Sequence, residues 1–133
     1  MTGTGAPDEV RKVIEETLEA LNAGDAGRLR SMLAERPDGV HIGTDAGGWE
    51  TSRQVVDAVA GAGGADDIQV VADGFDTHVQ GDVGWAEGRG RFTRAGGGEW
   101  PARMTWVLIR ESGRWKVVQS HASIGVPNAD IFG

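Results

Sequence analysis

The 133-residue sequence has no cysteine, no tyrosine and only four prolines. Without cysteine there is no disulfide framework, no thiol nucleophile and no cysteine-built metal site. Without tyrosine, no phenol can serve as a hydrogen-bond donor at a catalytic centre. Basic residues are outnumbered: 13 Lys and Arg stand against 20 Asp and Glu, giving a formal net charge of -7. No basic stripe interrupts the scattered acids, which argues against a nucleic-acid partner. No apolar run is long enough to span a bilayer, so no membrane partner is expected. The opening MTGTGAPDEV lacks the charged and apolar regions of a secretory signal, and a cytoplasmic location is expected. The length fits one domain, 1–133, with one core. Twenty-two glycines, and arginine in large excess over lysine, fit a GC-rich genome, so isolated Gly and Arg carry little weight.

What is present reads as helices first and strands afterwards. Val10, Val13, Ile14, Thr17, Leu18 and Leu21 recur at helical spacing after Pro7 and Asp8, predicting a helix to about Asn22. Asp25 is a candidate N-cap for a short second helix carrying Leu29, Met32 and Leu33, ended by Arg36 and Pro37. VHIGT at 40–44 reads as a strand and DAGGWE as a loop. Thr51 then caps a third helix with Val55, Val56 and Val59 on one side, closed by GAGG at 61–64. The remainder, IQVVADGFDTHV, VGWAEGRGRF, PARMTWVLIRE and RWKVVQSHASIGV, reads as strands separated by GD, AGGG and SG, with PNADIFG a terminal loop. This order predicts an α+β fold, with a curved antiparallel sheet wrapped around N-terminal helices.

The element order, the IGT before a Trp-containing loop, the GDVGW strand and the closing GRWKVVQSHASIGVPN together resemble the SnoaL-like branch of the nuclear transport factor 2-like superfamily. The resemblance spans essentially the whole chain and is most specific in its last thirty residues. It implies a cone-shaped fold, an interior pocket and a homodimer. It does not imply one function, because the superfamily includes ketosteroid isomerases, polyketide cyclases, dehydratases, epoxide hydrolases, protein-association domains and pure ligand binders.

Register predicts which side chains share the pocket. A two-residue turn at Ser112 and Gly113 sets Leu108 opposite Val117, Trp106 opposite Gln119 and Met104 opposite His121. A loop at 95–98 sets Arg89 opposite Met104, Glu87 opposite Trp106 and Trp85 opposite Leu108. The expected concave face thus carries Trp85, Glu87, Arg89, Met104, Trp106, Gln119 and His121, with Asp45 and Trp49 at the mouth. Leu108, Trp115 and Val117 are expected to pack under the helices. The bare row Gly84, Ala86, Gly88 and Gly90 falls on the convex face, where the sheet of a second subunit could approach closely and form a homodimer. A β-bulge in the last strand would reverse the parity of His121.

Two functions remain open. One is a small-molecule-binding domain, regulatory in role, with an aromatic-lined pocket anchored by Arg89. The other is a cofactor-free isomerase, cyclase or dehydratase-like enzyme that uses Glu87, Asp45 or His121 as base and Arg89 as oxyanion donor. Glu87 and Arg89 could equally form an internal salt bridge, and Trp49 either a lid over ligand or a plug of the core. The resemblance places Arg89 where the association domain of calcium/calmodulin-dependent protein kinase II carries a pocket arginine, and Trp106 where that domain has another. The missing tyrosine removes a ketosteroid isomerase-type oxyanion hole and leaves the epoxide hydrolase set incomplete, which favours binding over catalysis. No cofactor is expected. His41, His78 and His121 share no metal-ligand spacing, and no metal is expected.

Overall fold

The computed structural model describes residues 5–62 and 67–133. Its elements are α1 (Ala6–Ala23), α2 (Ala26–Met32), β1 (Val40–Ile42), β2 (Trp49–Glu50), α3 (Ser52–Ala62), β3 (Ile68–Gln80), β4 (Val83–Arg94), β5 (Glu99–Glu111), β6 (Arg114–Ser123) and α4 (Asn128–Phe132). The expected α+β architecture is present: a curved sheet that does not close on itself, in the order β2-β1-β6-β5-β4-β3, with helices on its concave side. Local signals set the helix ends. Gly24 adopts φ 67° and closes α1, while the Asp25 carboxylate accepts from Arg28 N–H at 3.1 Å to cap α2. Thr51 and Gln54 exchange side-chain and backbone hydrogen bonds in a reciprocal cap on α3. The expected stop of that helix at Gly63 and Gly64 lies outside the described residues. The stretch predicted as a loop at DAGGWE ends in β2, which pairs with β1, and the terminal tail contains the short α4.

The long strands depart from simple alternation at two points, and both departures keep apolar side chains on the concave face. In β3 a bulge at Asp73 switches the inward parity from Val70 and Ala72 to Phe75, Thr77 and Val79. In β6 the register shifts between Leu108 and Val107 on its neighbour, so that Trp115 and Val117 face inward before Val118, and Ser120 and Ala122 after it. A bulge is therefore present in β6, and it turns His121 outward, against its expected concave position.

The hairpin of β4 and β5 corrects the predicted register by one residue. Arg94 N–H donates to Gly98 C=O at 3.0 Å, so the chain reverses over 95–97, with Gly96 and Gly97 at φ 90° and 119°. Gly88 consequently pairs with Met104 and Ala86 with Trp106, while Trp85, Glu87 and Arg89 pair with Val107, Thr105 and Arg103. A one-residue slip exchanges the two faces of a strand. The bare row lies on the concave side, and its neighbour there is this chain's own α1 and β3, not a second subunit. A Cβ on Gly84 would stand 2.8 Å from Val10 Cγ2, and one on Gly88 would stand 2.6 Å from the Gly74 carbonyl oxygen. Beside this stripe lie Val10 and Ile14, both fully buried, with Met104, Trp106, Leu108, Trp115 and Val117 completing the core.

The far edge of the sheet is fastened to α1 by side chains. Asn22 donates to Val70 C=O at 2.7 Å and accepts from Val70 N–H at 2.8 Å, standing in for a missing neighbour strand. Arg11 donates to Phe75 C=O at 2.7 Å with its guanidinium 4.5 Å over the Phe75 ring. Substituting Gly88 by Ala should destabilise the folded chain by about 1–3 kcal/mol through overpacking. The urea midpoint should fall below that of the wild type with an unchanged slope and by the same amount at every protein concentration. A concentration-dependent loss would return the glycine row to an intermolecular contact.

Candidate functional site

Between the concave face and the helices lies a cavity of about 350 Å³. Leu18 and Leu21 of α1, Leu29 of α2, Val55 of α3, and Val70, Phe92, Met104, Trp106 and Ala122 of the sheet give it largely apolar walls. The turn between β1 and β2 forms its rim, where Asp45 and Glu50 supply carboxylates. One Asp45 oxygen accepts from Gly47 N–H at 3.0 Å, fixing the turn. Among the described residues, no lysine, arginine, asparagine or glutamine lines the cavity.

Sequence reasoning missed the polar group in the wall. His41 and Ser120 are direct neighbours across the parallel β1–β6 pair, so their side chains leave the same face of the sheet. His41 Nδ1 lies 2.7 Å from Ser120 Oγ, and Nε2 lies 2.8 Å from Ser52 Oγ. Ser52 follows the cap of α3, and its hydroxyl donates to Ala34 C=O at 2.8 Å. That bond uses the only Ser52 proton, so His41 Nε2–H donates to Ser52 Oγ. Burial pushes the imidazole below its ordinary value, which leaves it neutral. Nδ1 is then bare and accepts the Ser120 hydroxyl proton. Glu50 and Asp45 are the carboxylates on the walls around His41, and the cause of its lowered value is burial.

The predicted site residues divide between two faces. Met104 and Trp106 are buried in the cavity wall and Asp45 lies at its rim. Trp85, Glu87, Arg89, Gln119 and the His121 side chain are on the convex face, because of the hairpin slip for the first three and the β6 bulge for the last two. The internal Glu87–Arg89 salt bridge, one of the two readings of that pair, does not form. Glu87 instead meets His78 Nε2 at 2.9 Å, with the His78 ring stacked 5.5 Å from Trp85. Trp49 pairs with Ile42 and is 70 % exposed, outside the cavity, so it is neither a core plug nor folded over the cavity. Glu87, Arg89, Arg103, Thr105 and His121 border a broad open hollow on the convex face, and His121 also borders the cavity. Among the described residues, no group of three or more His, Asp and Glu side chains is placed to hold a metal ion, and no helix is long and apolar enough to cross a membrane.

The SnoaL-like domain family matches residues 10–127. A nuclear transport factor 2-like protein of unknown function from Pseudomonas putida KT2440 superposes with a TM-score of 0.79 at 19 % identity, covering 94 % of this chain and 92 % of that one. A nuclear transport factor 2-like superfamily protein from Salmonella enterica serovar Typhimurium LT2 gives the same TM-score of 0.79 and identity of 19 %, covering 96 % of each chain. A protein with a cystatin-like fold from Novosphingobium aromaticivorans gives 0.71 at 19 % identity, covering 92 % and 85 %. At these identities the structures share the fold. No curated protein matches in sequence.

The buried neutral His41 makes stability depend on pH. In the unfolded chain it titrates near 6.5, and in the folded chain at a lower pH. Between those values the unfolded state binds a proton that the folded state does not. The stabilisation is therefore whole above about pH 6.5 and is lost as pH falls through the folded value. Between pH 7 and pH 5 the melting temperature should fall more steeply in the wild type than in His41→Asn. Equal slopes would show that His41 is not held neutral by burial.

Proposed function

The chain belongs to the SnoaL-like domain family, and from that premise we propose that it is a single small-molecule-binding domain over 1–133 whose site is the interior cavity. The observation that carries this reading is an apolar cavity of about 350 Å³ with few polar groups, within the usual range for small-molecule sites. Met104 and Trp106 keep their expected role as its aromatic and thioether wall. The anchor assigned to Arg89 passes to the His41–Ser120 pair, since Arg89 opens to the other face. A regulatory role, with ligand occupancy read out by a partner, and a cytoplasmic location fit this reading and the cysteine-free composition.

The enzymatic alternative, a cofactor-free isomerase, cyclase or dehydratase, has one observation in its favour: Asp45, a candidate base, borders the cavity. The lining offers it no cationic oxyanion donor, and Glu87 and Arg89 lie outside. Binding therefore remains the stronger reading.

A thermal-shift screen of uncharged aromatic and polyketide-like compounds tests the site. A ligand present at a hundredfold its Kd stabilises by about 2.7 kcal/mol. Ala122→Trp, which fills the cavity from β6, should abolish the shift, whereas Arg89→Ala should leave it. The reverse pattern would move the site to the convex hollow.

Self-association is assigned to the convex face on different grounds from the glycine row. Val83 and Trp85 are 43 % and 38 % exposed there, beside half-buried Val107 and Ile109. An acidic row, Asp76 and Glu87, runs next to a basic row, Arg89 and Arg103. A twofold pairing of two such faces can set acid against base. Sedimentation velocity at tens of micromolar should give a dimer that Trp85→Glu converts to monomer. A monomeric wild type at that concentration would overturn the assignment.

A further inference from the structure

The hydrogen-bond chain in the cavity wall has a fixed direction, and that direction specifies a ligand class. Ala34 C=O accepts the Ser52 proton, Ser52 Oγ accepts from His41 Nε2–H, and His41 Nδ1 accepts from Ser120. Each proton is committed, and each link is 2.7 or 2.8 Å long. Ser120 Oγ, with its proton held by His41, has unspent lone pairs and no donor left for the cavity. Of the other polar groups, Thr44 in the turn at the rim carries a hydroxyl able to donate, while Thr17 and the two rim carboxylates offer no free proton. Thr17 commits its hydroxyl to Val13 C=O at 2.6 Å, and Asp45 and Glu50 at the rim are acceptors when ionised. Among the described residues, no lysine or arginine lines the space to receive an anion.

We propose that the cavity selects uncharged, largely apolar ligands that carry an O–H or N–H donor, and that this donor is received by Ser120 Oγ. The proposal rests on the cavity being the binding site. It names a single contact as the source of polar selectivity: a donor meets an acceptor whose own proton cannot swing away without breaking the bond to buried His41. A carbonyl or ether oxygen at the same point would face lone pairs, and a carboxylate would be stripped of water beside Asp45 and Glu50.

Three naphthalenes and one anion provide the test, by calorimetric titration of the full chain: 2-naphthol, naphthalene, 2-methoxynaphthalene and 2-naphthoate. 2-Naphthol should bind about five- to tenfold tighter than naphthalene and 2-methoxynaphthalene, the range of one net hydrogen bond, and 2-naphthoate should bind weakest. Ser120→Ala should bring the two oxygen-bearing neutral probes level while still binding naphthalene. Equal affinities in the wild type, or a preference surviving Ser120→Ala, would overturn the assignment to Ser120 and leave the cavity as the binding site. Tightest binding of 2-naphthoate would overturn the ligand class. Failure of every probe to bind would remove the cavity reading, and this inference with it.

Discussion

The fit of α1 against the nearly side-chain-free row of β4 sets the geometry of the molecule. Val10 and Ile14 are fully buried, each contributing about 1.5–3 kcal/mol by removal from water. They reach that depth because Gly84 and Ala86 leave room where larger residues would hold the helix away. The glycines also let β3 curl closely against β4 at Gly88 and Gly90, where an added Cβ would meet Phe75 and the Val71 carbonyl. Across the pair the volumes are complementary, with Met104, Trp106 and Leu108 of β5 beside Gly88, Ala86 and Gly84. The bulk of the core thus comes from the centre of the sheet and from the helix. β4 supplies the clearance.

Seated in this way, α1 fills one end of the concave face and leaves the other to the cavity. Thr17, Leu18 and Leu21, further along the same helix, face open space where Val10 and Ile14 meet packed side chains. Two bulges complete the arrangement. The one at Asp73 keeps β3 apolar toward the helix through a change of parity. The one in β6 brings Ser120 inward to meet His41 on a neighbouring strand, and sends His121 to the outside. Bulges re-aim side chains in this way at the rims of curved sheets. Here the re-aimed residue places a hydroxyl in the cavity wall, bonded to His41.

The fold is shared with solved structures at only 19 % identity. Frame and site are separable for that reason. In this chain the cavity walls are mostly apolar, while, among the described residues, the lysine and arginine side chains lie outside its lining. Arg36 illustrates that use: it pairs with Asp38 at 2.8 Å and lowers the pKa of that exposed carboxyl.

The sequence by itself determined whatever depends on neighbours close along the chain. The caps at Asp25 and Thr51, the end of α1 just past Asn22, and the turn at Ser112 and Gly113 each involve groups a few residues apart. Each was legible from residue type, as was the burial of Leu108, Trp115 and Val117 from their alternation. The resemblance carried the order of helices and strands to a fold. Tertiary structure decided which face each strand presents. AGGG is compatible with turns of different length, and one residue of difference exchanges the faces of β4, taking Trp85, Glu87 and Arg89 out of the pocket. His41, Ser52 and Ser120 are separated by as many as 79 residues and share no motif. They meet because a parallel strand pair and the capped start of α3 converge on one buried point. Strand parity has period two, so a single bulge or turn residue inverts it, and the energy that selects the correct inversion resides in packing between distant segments rather than in local preference.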